Sequence, residues 1–99
     1  MGRLEKVSGE QNWIDRLPSA LKAEWHRSII YRAAVHMHEE RGMAVGHAIA
    51  SAINWAKYIC KTGDVKQWKG PRSAKPTSVA ECCEAVALWN TMRATARAR

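Results

Sequence analysis

MAVGHAIASAINWAKYICKTG, residues 43–63, has the clearest repeating pattern in this chain of 99 residues. Its apolar residues recur at three- and four-residue intervals, which places them on one face of an α-helix: Val45, Ile49, Ala52, Ile53, Ala56, Ile59 and Cys60. The opposite face is polar and carries His47, Asn54, Lys57, Tyr58 and Lys61. We therefore predict an amphipathic helix over about residues 44–61, ended by Gly63 because glycine adopts a left-handed backbone conformation without steric cost.

A second helix is predicted on the N-terminal side, over about residues 18–41. Its apolar stripe has the helical period and consists of Ile29, Ile30, Ala33, Ala34 and Met37. His26 falls on the same face, whereas Arg32 and His36 point away from it. Gly42 is placed to end this helix in the same way as Gly63 ends the next one.

A third helix is predicted over about residues 79–95. Ser78 and Glu81 have the spacing of a capping box, and the apolar stripe that follows contains Val79, Cys82, Cys83, Val86 and Trp89. Since no segment alternates with a period of two, strands are not expected. The predicted fold is all-α: a small single-domain bundle of three main helices with a basic loop between the last two.

The organisation of the chain follows from its composition. Residues 1–12 have little apolar content, so we expect a flexible N-terminal arm, a helical domain over 13–95 and a basic C-terminal tail over 96–99. The sequence contains no apolar run long enough to span a membrane and no secretory signal pattern. We therefore expect a cytoplasmic protein that makes no membrane contact.

The cysteines and histidines do not have the spacing of a metal site or a disulfide framework. The three cysteines are an odd number, and two of them are adjacent, so reduced buried thiols are expected at Cys60, Cys82 and Cys83. Zinc needs four ligands in a tetrahedron, and these cysteines with His26, His36, His38 and His47 offer no such pattern. With no nucleophile elbow and no phosphate loop either, we expect no enzyme, no metal and no cofactor.

The basic residues are unevenly distributed. The chain has a formal net charge of +7, and residues 57–75 hold six basic residues and one acidic residue, so most of the surplus lies there. Within GDVKQWKGPRSAKP, residues 63–76, a basic residue stands at every third position around Trp68: Lys66, Lys69, Arg72 and Lys75. A concentration of positive charge of this kind is typical of a surface that meets an anionic partner.

The segments WIDRLPSAL, AVHMHEERGMAVGHAIASAINWAKYICKTGD and AECCEAVALWNTMRA together resemble a small helical module of actinobacteriophage (mycobacteriophage-like) proteins. The matching residues are Trp13, Leu17, Pro18, Gly42, Met43, Ala48, Ile49, Ala50, Asn54, Gly63, Asp64, Ala85, Val86, Ala87 and Trp89. The resemblance implies a helical fold and a phage context, since the module also occurs attached to virion-assembly proteins, but it implies no activity. Asn90 stands where the resemblance implies an acidic residue, and the loop here is unusually basic.

We interpret the basic segment as a nucleic-acid-binding surface, with DNA favoured. Lysine and arginine neutralise phosphates and an exposed indole stacks on bases, so the predicted binding residues are Asn54, Lys57, Lys61, Lys66, Trp68, Lys69, Arg72, Lys75, Arg97 and Arg99. The two helices joined by Gly42 also resemble a helix-turn-helix in outline, with Asn54 as the residue that would read adenine.

Two alternatives remain open from the sequence. The basic segment could be a solvated connector, with Trp68 folded back on the core. The chain could also be a protein-interaction module, either a piece of phage head assembly, with a possible homo-oligomer, or a factor that binds a host protein and alters host growth. Trp68 or Trp13 would then be the anchor at the interface.

Overall fold

Five α-helices and two short 3-10 turns make up residues 12–98, the part of the chain that the computed structural model describes. The helices are α1 Asn12–Asp15, α2 Ser19–Arg27, α3 Ile29–Arg41, α4 Val45–Thr62 and α5 Val79–Arg97, and the 3-10 turns are Val65–Gln67 and Arg72–Ala74. Because these residues contain no strand, the predicted all-α class is confirmed. The predicted arm, apart from Asn12, lies outside the described residues, as does Arg99 of the tail.

Helix α4 lies at the centre of the fold. Six of the seven residues predicted for its apolar face are buried: Val45, Ile49, Ala52, Ile53, Ala56 and Ile59. Cys60 is only half-buried, Ala48 is buried in addition, and the helix packs against both α3 and α5. The three alanines are fully buried, and such small side chains let a neighbouring helix approach closely. Gly42 and Gly63 have positive φ angles of 67° and 73° and end α3 and α4 as predicted.

The prediction of one continuous helix over 18–41 is wrong at Ser28. The backbone of Ser28 is extended, with φ −73° and ψ 154°, and separates α2 from α3. Its side chain accepts a hydrogen bond from the Tyr31 N–H at 3.2 Å and donates one to the Trp25 carbonyl at 2.8 Å. A serine hydroxyl competes for backbone groups in this way, so one residue closes the first helix and caps the second. The described chain therefore has four helices of nine or more residues instead of three.

The break at Ser28 also changes the face on which His26 lies. The predicted stripe of α3 is buried as expected, but His26 belongs to α2 and is exposed, with its ring 4.8 Å from that of Tyr31. Trp25 is the buried aromatic residue of α2 instead, at 2% exposure. The core of this part of the molecule is therefore built around an indole and not around an imidazole.

Helix α5 begins at the predicted cap. The Ser78 hydroxyl accepts from the Glu81 N–H at 3.2 Å, while the Glu81 carboxylate accepts from the Thr77 N–H at 2.8 Å. The same carboxylate forms an ion pair with Arg32 of α3. Of the predicted stripe only Cys82 is fully buried, since α5 turns Ala85 and Met92 inward and leaves the other members partly buried.

A disulfide bond joins α4 to α5. Cys60 and Cys83 are bonded, with their Cα atoms 5.0 Å apart, and Cys82 is left as the one free thiol. The prediction of three reduced cysteines was therefore wrong for two of them. The bond depends on where α5 crosses α4, which residue spacing does not reveal. It closes a chain segment of 23 residues that contains the four basic residues Lys66, Lys69, Arg72 and Lys75.

Counting thiols tests this arrangement. The native chain at pH 8 should react negligibly with a thiol reagent, because burial, and secondarily the Glu81 carboxylate, raises the pKa of the Cys82 thiol to about 11. Unfolding in urea without reductant should expose one thiol, and reduction should expose all three cysteines of the chain. Three reactive thiols in the unfolded, unreduced chain would contradict the bond.

The bond should also contribute to stability. Closing a segment of this length restricts the unfolded chain, so reductant should lower the free energy of unfolding by about 3 kcal/mol in urea titrations. A Cys60→Ser, Cys83→Ser variant is the matched control, because its stability should already be lower and should not respond to reductant.

Candidate nucleic-acid interface

The loop between α4 and α5, residues 63–78, is attached to the helices at several points, and we call it the basic loop. Pro71, Ala74 and Pro76 are buried, and the second 3-10 turn packs against α3. Ser73 Oγ lies 3.1 Å from Nδ1 of His36 on that helix. Two prolines and two glycines prevent a long regular element in this loop. Its buried apolar residues nevertheless hold it in place.

Trp68 lies against the protein body. Its ring is half-buried and meets the Trp55 ring edge to face, with the centroids 5.8 Å apart. Its indole N–H donates to the Pro71 carbonyl at 3.0 Å. The indole therefore occupies the folded-back position considered as the alternative, and only part of its surface is left for a ligand.

Four cations surround one concave surface on this loop, which we call the basic cavity. It has a volume of about 520 Å³ and is lined by Lys66, Trp68, Lys69, Gly70, Arg72 and Lys75. All four basic side chains are exposed, and none of the described residues that line the cavity is acidic. Five of the predicted binding residues, the four bases and Trp68, are therefore brought together in one place.

The positive charge of the basic cavity is not neutralised by the rest of the described chain. Between residues 12 and 98 the ion pairs are Arg32 with Glu81 and His36 with Glu40, and neither involves a residue of the cavity. Asp64 is the one acid in the segment, and its carboxylate accepts from the Lys66 backbone N–H at 2.9 Å as a cap. Such a cavity has the charge and the hydrogen-bond donors to hold phosphate groups.

The exposed face of α4 leads from the basic cavity toward a second site. Lys69 Nζ lies 6.0 Å from the centre of the Tyr58 ring, which connects the loop to this face. Lys61 lies one turn beyond Lys57 on the same exposed side of the helix. Since Asn54 continues the row, the polar side of α4 extends the positively charged surface away from the loop.

The predicted residues are nevertheless divided between two places. Asn54 and Lys57 do not line the basic cavity but a separate concavity of about 390 Å³ between α4 and α5. Arg97 lines a neighbouring concavity of about 230 Å³. Lys61 lines neither of these sites, and Arg99 lies outside the described residues.

Sequence reasoning missed several residues of the second site. Trp89 and Arg93 of α5 line it together with Trp13 of α1. Arg93 and Arg97 are four residues apart and therefore share a helix face, a pattern that the sequence does show. Their proximity to Trp13, which is 76 residues earlier than Trp89, depends on how α1 packs against α5.

The helix-turn-helix interpretation has little support in the geometry of α4. A recognition helix presents its N-terminal residues to base edges. The N-terminal part of α4 is buried at Val45, Ala48 and Ile49, and the lysines stand at its C-terminal end. The charged half of α4 is therefore the half next to the basic loop.

Substitution of Gly70 should disturb the basic cavity. A Cβ atom at this position would lie 2.5 Å from Trp68 Cζ2 and 2.7 Å from Trp55 Cε3. We expect Gly70→Ala to lower the free energy of unfolding by about 1 to 3 kcal/mol, because the two indoles must move apart. Urea unfolding followed by tryptophan fluorescence measures the change.

The matched control is Gln67→Ala, an exposed position in the first 3-10 turn, where the change should stay within about 0.5 kcal/mol. Equal stabilities for the two variants would contradict the close packing of Gly70 between the two indoles.

No membrane-spanning helix and no group of metal ligands is found among the described residues. None of their helices combines the length and the apolar character needed to cross a membrane. Across residues 12–98 no three histidine, cysteine, aspartate or glutamate side chains are grouped as metal ligands.

Comparisons with known proteins identify no relative of this chain: no protein-family model matches it, and neither does a curated protein or a solved structure.

Proposed function

We propose that this chain is a non-enzymatic protein that binds nucleic acid, DNA in preference, through the basic cavity and the adjoining face of α4. The observation that carries the proposal is the set of four exposed cations around one concavity that no acid of residues 12–98 lines. Like charges repel, so holding them together without a counter-charge is unfavourable in the isolated protein. A ligand with several phosphates removes this repulsion.

The attachment of the basic loop supports binding over a solvated connector. A connector needs only to be soluble, and its charges spread out as the chain moves. Here buried Pro71 and Ala74 hold the backbone, and the Trp68 side chain is packed on Trp55. The backbone that carries the cations is therefore already held before a ligand binds, which reduces the entropy lost on binding.

Binding to a protein partner is the second candidate function, and the disulfide bond favours one of the two protein-binding roles that the sequence left open. Disulfides persist on virion surfaces and in other oxidising compartments and are rare in a reducing cytoplasm. The Cys60–Cys83 bond therefore agrees with a role in virion assembly, one of the contexts that the phage resemblance implies. The bond weighs against the predicted cytoplasmic location. In virion assembly the chain would be a head-assembly module, with homo-oligomers expected. The other protein partner that the sequence left open for this chain is a host protein.

A salt series tests the proposal. Affinity for duplex DNA should fall steeply with salt, and each phosphate contact contributes about 0.9 to the slope of log affinity against log salt. Lys66→Ala with Lys75→Ala should therefore reduce that slope by about 1.8, measured by fluorescence anisotropy of a labelled oligonucleotide. The variant that also carries Lys69→Ala and Arg72→Ala should lose measurable binding near physiological salt.

The matched control is the pair Arg27→Ala and Arg41→Ala. It removes the same charge from two exposed positions at the ends of α2 and α3, neither of which lines the basic cavity. An unchanged slope is expected for this pair. Absence of binding at low salt, or equal slopes for the two pairs, would refute the proposal. If this chain then captured a partner protein and the capture did not weaken with salt, the second candidate would be favoured.

A further inference from the structure

Three adjoining concavities meet at Trp13, and together we call them the aromatic groove. Their volumes are about 390, 230 and 440 Å³, and Trp13 is among the lining residues of each. The groove lies between the exposed side of α4 and the C-terminal half of α5. The side chains on which its chemistry depends are Trp13, Asn54, Lys57, Trp89, Arg93 and Arg97.

The two indoles of the aromatic groove are held by the core. Trp13 and Trp89 meet edge to face with ring centroids 5.4 Å apart, and Trp89 lies 5.5 Å from the buried Trp25. Ile14 and Leu17, on either side of the turn that follows α1, are buried and hold that segment to the body of the protein. Trp13 itself is half-buried, so the groove presents a fixed aromatic surface.

The charges around this aromatic surface have one sign. Lys57, Arg93 and Arg97 are exposed, and none of the described residues that line the three concavities is an acid. The Arg93 guanidinium lies 6.0 Å from the centre of the Trp89 ring. Acidic side chains line a different concavity, where Glu24, Glu81 and Glu84 stand near Arg27.

This combination matches the chemistry of an unpaired nucleotide. An indole stacks on any base, the surrounding cations neutralise the phosphates on either side, and the Asn54 amide can both donate to and accept from a base edge. In a duplex the bases are already stacked on one another and unable to lie on Trp13. The aromatic groove therefore suits a single strand better than a duplex.

We infer that the aromatic groove is a stacking site for an unpaired base of single-stranded nucleic acid. The inference rests on the proposed function, because the strand is the same ligand that the basic cavity holds by its phosphates. The exposed face of α4, with Lys57 and Lys61, joins the two sites and gives the backbone a positively charged surface between them. The protein then binds a single strand more tightly than a duplex of the same length.

The experiment compares a labelled 12-nucleotide single strand with an abasic strand that has the same phosphates. Wild type should bind the base-containing strand about tenfold more tightly, since stacking on one aromatic residue contributes about that factor or more. Trp13→Ala should bind the two strands equally, and Trp13→Phe should restore most of the preference because it keeps an aromatic ring. Thermal unfolding of each variant shows whether it is folded.

Equal affinity of the wild type for the two strands would overturn the inference without the use of any variant. If the basic-cavity variants also abolish binding in that case, the proposed function stands and only the stacking site falls. If the wild type binds neither strand at low salt, the proposed function itself falls. Displacement of the single strand by poly-glutamate of equal charge at a lower concentration would assign the groove to an acidic protein segment and likewise overturn the inference.

Discussion

Burial of the apolar face of α4 between α3 and α5 is the constraint on which the rest of this structure depends. Three fully buried alanines on that face allow the neighbouring helices to approach closely. Because the inner side of α4 is occupied along most of its length, its lysines and Asn54 have only one direction left, toward solvent. The same packing brings α5 against α4 at Cys60 and Cys83.

The position of the basic loop follows from this packing of α4 and α5. It must connect the end of α4 to the start of α5, and it does so with buried proline and alanine and an indole packed on Trp55. The residues between these anchors are the ones that carry charge. Lys66 and Arg72 lie in the two 3-10 turns, whereas Lys69 and Lys75 lie outside them, and all four line the basic cavity.

The electrostatic asymmetry of the molecule follows from the same helices. Acidic residues of α2 and α5 line one concavity, whereas the charged residues that the structure describes around the concavities at Trp13 and on the basic loop are all basic. Two separate regions therefore combine basic side chains with indole surface. Their connection through the polar face of α4 is the physical basis for treating them as parts of a single extended surface.

Much of the fold could be predicted because its signals are local. The helical period of α4, the glycines that end α3 and α4, and the Ser78 cap each depend on residues within one or two turns of each other. Ser28 shows where such reasoning was incomplete. A serine before two isoleucines is a sequence signal for a helix start, but the predicted helix over 18–41 ran through Ser28.

By itself, the sequence determined the all-α class, the polar and apolar faces of α4, and the position of the surplus charge between Lys57 and Lys75, because composition and periodicity are properties of short segments. The tertiary structure alone decided the Cys60–Cys83 bond, the folding of Trp68 onto Trp55, and the separation of Asn54 and Lys57 from the basic cavity. Each of these depends on which surfaces of distant segments meet. The physical reason is that helix packing sets crossing points and distances between residues far apart in sequence, and no local pattern encodes them.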